Sequence, residues 1–167
     1  MIAGGTEESP SSVPLRLDLV RHGEALPADA EGDGMRRLSP AGRATIERVA
    51  ERFAREGWRP HALWASPLVR AQESAAILAR VCPGLAVGVT EALTPDHDPE
   101  DVLAELEARG SRGHVVLVGH QPLLGRLIRH LTGQDVALPA GTLIALDVAH
   151  GPRRGAATIR LELRPGP

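Results

Sequence analysis

Lysine is absent from this chain; all 19 basic residues are arginine. That removes a Walker lysine, a Schiff-base lysine and a pyridoxal-phosphate site, so any phosphate chemistry rests on arginine and histidine. Cysteine is almost absent too. Cys82 stands alone, which rules out an internal disulfide, and no Cys/His pair has zinc-finger spacing; this suits a reducing compartment. Cys82 falls on the apolar side of a predicted helix and reads as a packed thiol. Charge of either sign is scarce in net terms: the formal balance is −2 and the sequence pI about 6.4. Without a basic footprint, nucleic acid and anionic membrane are poor partners. Aromatics are few, and Trp58 and Trp64 read as packing residues and not as a base-stacking platform. No apolar run has the length of a bilayer span. The first fourteen residues are rich in Gly, Ser and Pro and carry Glu7 and Glu8. They lack the basic start and apolar core of a signal peptide and read as a flexible tail. The expectation is a cytoplasmic protein with one domain over residues 15–167.

What is present begins with Leu15-Arg16-Leu17-Asp18-Leu19-Val20-Arg21-His22-Gly23-Glu24. Leu15, Leu17, Leu19 and Val20 form an alternating, then continuous apolar run, the pattern of a strand entering a covered sheet. The strand ends at Arg21, and Gly23 allows a sharp turn or the close approach of a ligand. His22 then offers a nucleophilic or proton-transferring nitrogen, and Arg21 a permanently charged, forked donor suited to phosphate. By itself the tripeptide Arg-His-Gly is equally consistent with a surface loop.

Residues 25–38 have little periodicity and read as a loop able to lie over the pocket. Ser39 and Pro40 supply an N-cap and a first helical position. Ile46, Val49, Ala50 and Phe53 share one helical face, and Gly57 ends the helix. Ala62–Ala65 reads as a second strand, followed by a helix start at Ser66-Pro67 with Leu68, Ala71, Ala75, Leu78 and Cys82 on its buried side. A third strand is expected over Leu85–Val89, and a helix capped at Asp98-Pro99 that stops near Gly110. His114–Gly119 is the most strand-like run in the chain and delivers His120 just beyond its end. Pro122 opens another helix, and Thr142–Val148 with Ala157–Leu163 read as a closing antiparallel hairpin at the sheet edge. Strand and helix alternate four times, which predicts an α/β fold, a three-layer α/β/α sandwich with a mainly parallel central sheet.

In open α/β sheets ligands sit outside the carboxyl ends of the strands. Three predicted strands end in Arg21-His22, in Ser66 with Arg70 one turn into the next helix, and in His120-Gln121. Helical side chains lean toward the N-terminus, so Arg70 points back toward the strand ends. Helix starts after Ser66 and His120 present free N–H groups to an anion. Two imidazoles and two guanidiniums can thus converge on one small dianion.

Four segments now matter together: Leu19-Val20-Arg21-His22-Gly23-Glu24, Arg36-Arg37-Leu38-Ser39-Pro40-Ala41-Gly42, Ser66-Pro67-Leu68-Val69-Arg70-Ala71-Gln72-Glu73 and Val118-Gly119-His120-Gln121-Pro122. In order and spacing they resemble the histidine phosphatase superfamily, and within it the short phosphohistidine phosphatases of the SixA type. The resemblance implies a phosphoglycerate mutase-like catalytic domain over residues 15–167. It implies His22 as the nucleophile that takes the phosphoryl group, with Arg21, Arg70 and His120 binding its oxygens, and a reaction needing no metal or cofactor. Independently of that likeness, phosphoryl transfer asks for in-line positioning and fixed positive charge, which Arg21 and Arg70 can give. A protonated His120 would add a second charge.

The departure lies in the general acid. Larger members of the superfamily place a carboxylate between the second arginine and second histidine motifs. Here Thr90–Asp98 holds three acids and no clear match. Asp98 is explained as a helix cap and Glu91 as a surface residue, which leaves Asp96. A phosphoramidate needs less acid assistance than an alkyl phosphate, so this favours phosphohistidine in a protein as substrate. Further candidate contacts to substrate are Glu24, Ser66, Gln121 and Arg36, each with a plain structural role available to it. His61, His114, His130 and His150 fall at element ends or surfaces. A metal site at His22 and His120 is disfavoured by the two adjacent arginines. The expected partner is a phosphorylated protein or a small phosphorylated metabolite; the rival readings are a metabolite phosphomonoesterase and a non-catalytic phosphate-binding module.

Overall fold

The alternating leucines of the first strand do form a covered strand. In the computed structural model, which describes residues 14–166, β1 (Leu15–Arg21) lies inside a six-stranded sheet. Apart from Pro14, the expected tail falls outside the described residues. Leu17 and Leu19 are fully buried toward one face, and Val20 toward the other. The remaining elements follow as α1 (Pro40–Glu56), β2 (Ala62–Ala65), α2 (Val69–Ala79), β3 (Val87–Val89), α3 (Pro99–Ala108), β4 (Gly113–Gly119), α4 (Leu123–Thr132), β5 (Leu143–Val148) and β6 (Ala157–Leu163). The sheet order is β3-β2-β4-β1-β5-β6. Strands β3, β2, β4 and β1 are parallel to one another, and β5 and β6 complete the sheet in antiparallel fashion.

The two faces carry separate apolar layers. Phe53 and Ile46 of α1 and Ala75 and Leu78 of α2 pack with Val20, Leu63, Val116 and Val118 on one side. Leu106 of α3 and Leu123, Leu127 and Ile128 of α4 pack with Leu17, Leu19, Val115 and Leu117 on the other. The result is the expected three-layer α/β sandwich, and the β5–β6 pair forms the antiparallel edge. One buried polar group interrupts the first layer: Asp18, with no exposed surface, accepts hydrogen bonds from Arg16 at 3.0 and 3.2 Å and pairs with His114 Nε2 at 2.6 Å. A buried carboxylate persists only when so matched.

Caps fall close to where the sequence sets them. Ser39 Oγ accepts from the Gly42 N–H at 3.0 Å, and Gly57 ends α1 in a left-handed conformation with φ 63°, as capping physics requires. Three boundaries differ. Helix α2 begins at Val69, not at Ser66, because the Ser66 hydroxyl is engaged by the Leu68 N–H and by His120 and so caps no helix. Strand β3 is shorter than expected, since the Leu85 N–H turns back to the Cys82 carbonyl at 3.1 Å. Cys82 itself lies past the end of α2, buried in the α1–α2 layer; burial raises its thiol pKa, so it is a packed thiol.

Candidate active site

Sheet order explains why residues far apart in sequence meet. Strand β4 lies between β1 and β2, so the residues just past the carboxyl ends of all three are neighbours. The His22 N–H donates to the Gly119 carbonyl at 3.1 Å, and the Ser66 N–H donates to the Val118 carbonyl at 3.1 Å. The parallel register therefore continues one residue beyond each strand. His22 and His120 end up with ring centroids 4.8 Å apart. Arg70, in the first turn of α2, reaches back over the strand ends as its helical position dictates; only 5% of it is exposed.

The His22 ring is held in one orientation. Its Nδ1–H donates to the Gly23 carbonyl at 2.6 Å, which leaves Nε2 as the nitrogen with a free lone pair. That lone pair receives the Arg70 Nε–H at 3.3 Å. Burial, aided by the charges of Arg70, Arg21 and Arg36 against the Gly23 hydrogen bond, pushes the His22 pKa down to about 4. At neutral pH this imidazole is uncharged and nucleophilic at Nε2.

His120 is a neutral ring in the free site. Burial first, then the neighbouring His22 and Arg70, push its pKa down to about 3. Its Nε2 lies 2.6 Å from Ser66 Oγ. Ser66 is fully buried, and among the described residues His120 Nε2 is the one acceptor within reach of its hydroxyl proton, so that proton is directed to Nε2 and the ring proton is placed on Nδ1. Both His120 Nδ1 and Arg21 Nε are buried without a hydrogen-bond partner among the described residues. Unpaired buried donors are costly and uncommon, and two of them beside a nucleophilic imidazole suit an oxyanion. Arg21 is steadied by the Leu138 carbonyl, which accepts from Nη1 at 2.7 Å, and by the Gly141 N–H, which donates to the Arg21 and His22 carbonyls at 3.1 and 2.9 Å.

A cleft of about 270 Å³ is lined by Arg21, His22, Glu24, Arg36, Arg70, Pro95, His120 and Gln121, together with Ala25 and Ala140. Of the residues singled out from sequence, the structure thus brings together Arg21, His22, Arg70, His120, Glu24, Arg36 and Gln121. Glu24 accepts from Ser39 Oγ at 3.0 Å, and the Gln121 side-chain oxygen accepts from the Gly125 N–H at 2.8 Å. Ser66 is not at the surface of the cleft: it has no exposed area and stands behind His120 as its hydrogen-bond partner. Asp96 is exposed and is not among the cleft-lining residues; Pro95 takes that place. Arg36 donates to the Leu26 carbonyl at 2.7 Å and to Asp33 at 3.1 Å.

Sequence reasoning passed over Asp33. It sits in a short 3₁₀ turn (Asp33–Met35) of the 25–38 loop, and Arg70 donates to its carbonyl at 2.7 Å and to its carboxylate at 3.0 Å. The available signal was an acid flanked by two glycines, three residues before Arg36. Among the described residues no group of three or more His, Cys, Asp or Glu side chains is arranged to hold a metal ion, and no helix is long and apolar enough to cross a membrane.

Comparison with known proteins places these features in context. Residues 17–94 match the model of the histidine phosphatase superfamily (branch 1). The chain is 34% identical over 153 residues to an uncharacterized protein of Picosynechococcus sp., covering 87% of this chain and 89% of that one. Among solved structures it resembles the protein histidine phosphatase SixA complexed with tungstate, with TM-score 0.79 and 22% identity, over 90% of this chain and 97% of the other. It also resembles an Agrobacterium tumefaciens protein assigned as a phosphohistidine phosphatase SixA, with TM-score 0.80 and 25% identity, over 92% of this chain and all of the other (100%). A phosphoserine phosphatase and an alpha-ribazole phosphatase share the fold as well.

Proposed function

The chain belongs to the histidine phosphatase superfamily, and from that premise we propose that it is a phosphatase whose His22 carries the phosphoryl group, acting on phosphohistidine in a protein. The observation that carries the mechanism is the His22 ring itself: Nδ1–H tied to the Gly23 carbonyl at 2.6 Å, Nε2 unprotonated against Arg70. In the first step Nε2 attacks phosphorus in line, the bond from phosphorus to the substrate imidazole breaks, and that imidazole, already protonated on its other ring nitrogen, leaves as the neutral base. In the second, water attacks phosphorus, the P–Nε2 electron pair returns to Nε2, and the phosphate departs as dihydrogen phosphate carrying the protons of the water. Arg21 and Arg70 supply fixed positive charge to the equatorial oxygens, and the Nδ1–H of His120 supplies a neutral donor. A phosphoryl dianion beside His120 favours its protonated form and so raises its pKa from the free-site value.

Two features support phosphohistidine over an alkyl phosphate. Imidazole leaves readily once protonated, and the carboxylates near the cleft are otherwise engaged: Glu24, which lines it, accepts from Ser39 Oγ at 3.0 Å, Asp96 lies outside it, and Arg36 and Arg70 hold Asp33 below the usual carboxylate range. The likeness to SixA-type structures points the same way. The three arginines at the cleft disfavour a catalytic metal cation, and the two steps need none. Nothing in the proposed chemistry requires a secretory or membrane setting, in keeping with a cytoplasmic protein.

The test is direct. Wild-type protein incubated with a labelled phosphohistidine protein acquires an acid-labile label and turns it over, whereas His22→Ala neither labels nor hydrolyses an aryl phosphate. Unchanged hydrolysis by His22→Ala defeats the mechanism. Much faster hydrolysis of sugar phosphates than of phosphohistidine protein defeats the substrate assignment and leaves a metabolite phosphatase. Phosphate binding with neither label nor turnover leaves a binding module.

A further inference from the structure

Arg70 is shared between two claimants. Its Nε–H faces His22 Nε2, while Nη1 and Nη2 donate to the Asp33 carbonyl and carboxylate at 2.7 and 3.0 Å. The same Asp33 carboxylate accepts from Arg36 at 3.1 Å, and Arg36 also lines the cleft. One loop carboxylate therefore neutralises two of the three guanidiniums that surround the nucleophile. Phosphoryl transfer does not ask for such a group, since a fixed anion here repels the oxygens that Arg70 is placed to bind.

The two partners differ in freedom. The Arg70 side chain is 6% exposed and locked among the strand ends, whereas that of Asp33 is 61% exposed. Asp33 lies between Gly32, whose φ is 93°, and Gly34. An incoming oxyanion can thus displace the carboxylate into water without moving Arg70. Arg36 and Arg70 hold Asp33 ionised at neutral pH, so the competition is between full negative charges.

We propose that Asp33 is a specificity-determining residue whose carboxylate competes with phosphoryl oxygens for Arg70 and Arg36, weakening the hold of the site on free inorganic phosphate. The inference rests on the phosphatase reading above. The competition weakens the hold on the phosphoryl oxygens of substrate and product alike, and free phosphate has only the arginines and His120 to bind it. A phosphorylated substrate also has the contacts of its leaving group. Asp33 thereby favours release of the second product.

Asp33→Asn tests this because the amide oxygen can still accept from Arg70, so that guanidinium keeps its place while the negative charge and the acceptor for Arg36 are removed. Inorganic phosphate is the probe, followed by calorimetric titration and by competitive inhibition of aryl phosphate hydrolysis. Asp33→Asn is expected to bind phosphate roughly tenfold more tightly than wild type, the size of one unit charge lost at close range, with the difference shrinking as salt is added. Asp33→Ser is expected to move affinity the same way, and Asp33→Glu to return it toward wild type. Unchanged or weaker phosphate binding by Asp33→Asn, in a wild-type background that binds and hydrolyses, overturns the role given to Asp33 and leaves it a holder of Arg70. A wild-type protein that hydrolyses neither an aryl phosphate nor a phosphohistidine protein overturns the phosphatase reading and this inference with it.

Discussion

Replacing Arg70 by Lys separates the geometry of the site from its charge. The guanidinium makes three hydrogen bonds at once, to His22 Nε2, the Asp33 carbonyl and the Asp33 carboxylate. They lie in the one plane that a forked, rigid group can serve. An ammonium keeps the charge but is a single point on a flexible stem. It can stay with Asp33 or turn toward the phosphoryl group, and it cannot span both. Losing one well-placed donor to a developing oxyanion costs about 2.7–4 kcal/mol, or roughly 10²–10³ in rate. Arg70→Lys is therefore expected to lower kcat/KM for an aryl phosphate by about that factor. Because the positive charge beside His22 is retained, the acid limb of the pH profile, set by the His22 pKa of about 4, stays where it is. Arg70→Ala loses more activity and lets that limb move upward, since one of the cations that depress His22 is gone; added guanidinium ion restores part of the loss. The assay is steady-state hydrolysis from pH 3.5 to 8 in all three proteins. Retention of more than a third of wild-type kcat/KM by Arg70→Lys would refute the reasoning, because point charge alone would then suffice.

Two further outcomes follow from the histidines. The folded pKa values of His22 and His120, about 4 and about 3, lie below the ordinary 6.5. Between 6.5 and those values the unfolded chain binds protons that the folded chain refuses, so stability present above pH 6.5 is lost as pH falls. Every tenfold difference in proton affinity between the two states corresponds to about 1.4 kcal/mol; urea midpoints should fall from pH 7 to 4.5, with a shallower slope in His120→Asn, and equal slopes would count against a neutral, buried His120. Ser66→Ala removes the partner of His120 Nε2 from a fully buried position. An unmet buried hydrogen-bonding group costs about 1–3 kcal/mol, so a loss of roughly tenfold in kcat/KM, larger in kcat than in KM, is expected by the same assay, and an unchanged kcat would show that Ser66 only fills space.

Elements with a local cause were legible in the sequence. Strand β1 follows from alternating leucines, and α1 from Ser39-Pro40 at one end and Gly57 at the other. Strands β2 and β6 fall on the residues expected, β2 as a short apolar run bounded by turns and β6 as an alternation of more buried and exposed positions. The meeting of Arg21, His22, Arg70 and His120 depends on the sheet order, which periodicity does not contain. The chain completes β2 and β3 before β4 inserts between β2 and β1, and no local pattern announces that insertion. Contacts made by loops were harder still. Asp33, and the Leu138 carbonyl that steadies Arg21, act through single long-range hydrogen bonds. Neither has a periodic or capping signature. Ser66 carried a helix-start signature but serves the histidine of a neighbouring strand instead.

Gly23 shows how far the chemistry of the nucleophile depends on packing elsewhere. From sequence its freedom suggests a tight turn or an approaching ligand, and the structure gives a different reason. A Cβ at Gly23 would stand 2.5 Å from the Gly42 carbonyl oxygen, and one at Gly42 would stand 2.0 Å from that of Glu24. Two bare backbones therefore meet where the first turn of α1 crosses the segment after β1. The same glycine donates its N–H to Ser74 Oγ at 3.1 Å, and Ser74 in turn donates to the Arg70 carbonyl at 2.8 Å. Its carbonyl receives the His22 Nδ1–H. Helices α1 and α2 thus fix the peptide that selects the His22 tautomer, and the turn that carries Arg70 is fixed through the same residue. A side chain at either glycine must push these backbones apart, moving the carbonyl from which the ring takes its orientation. The reactivity of Nε2 is in this sense a product of helix packing as much as of the neighbouring charges.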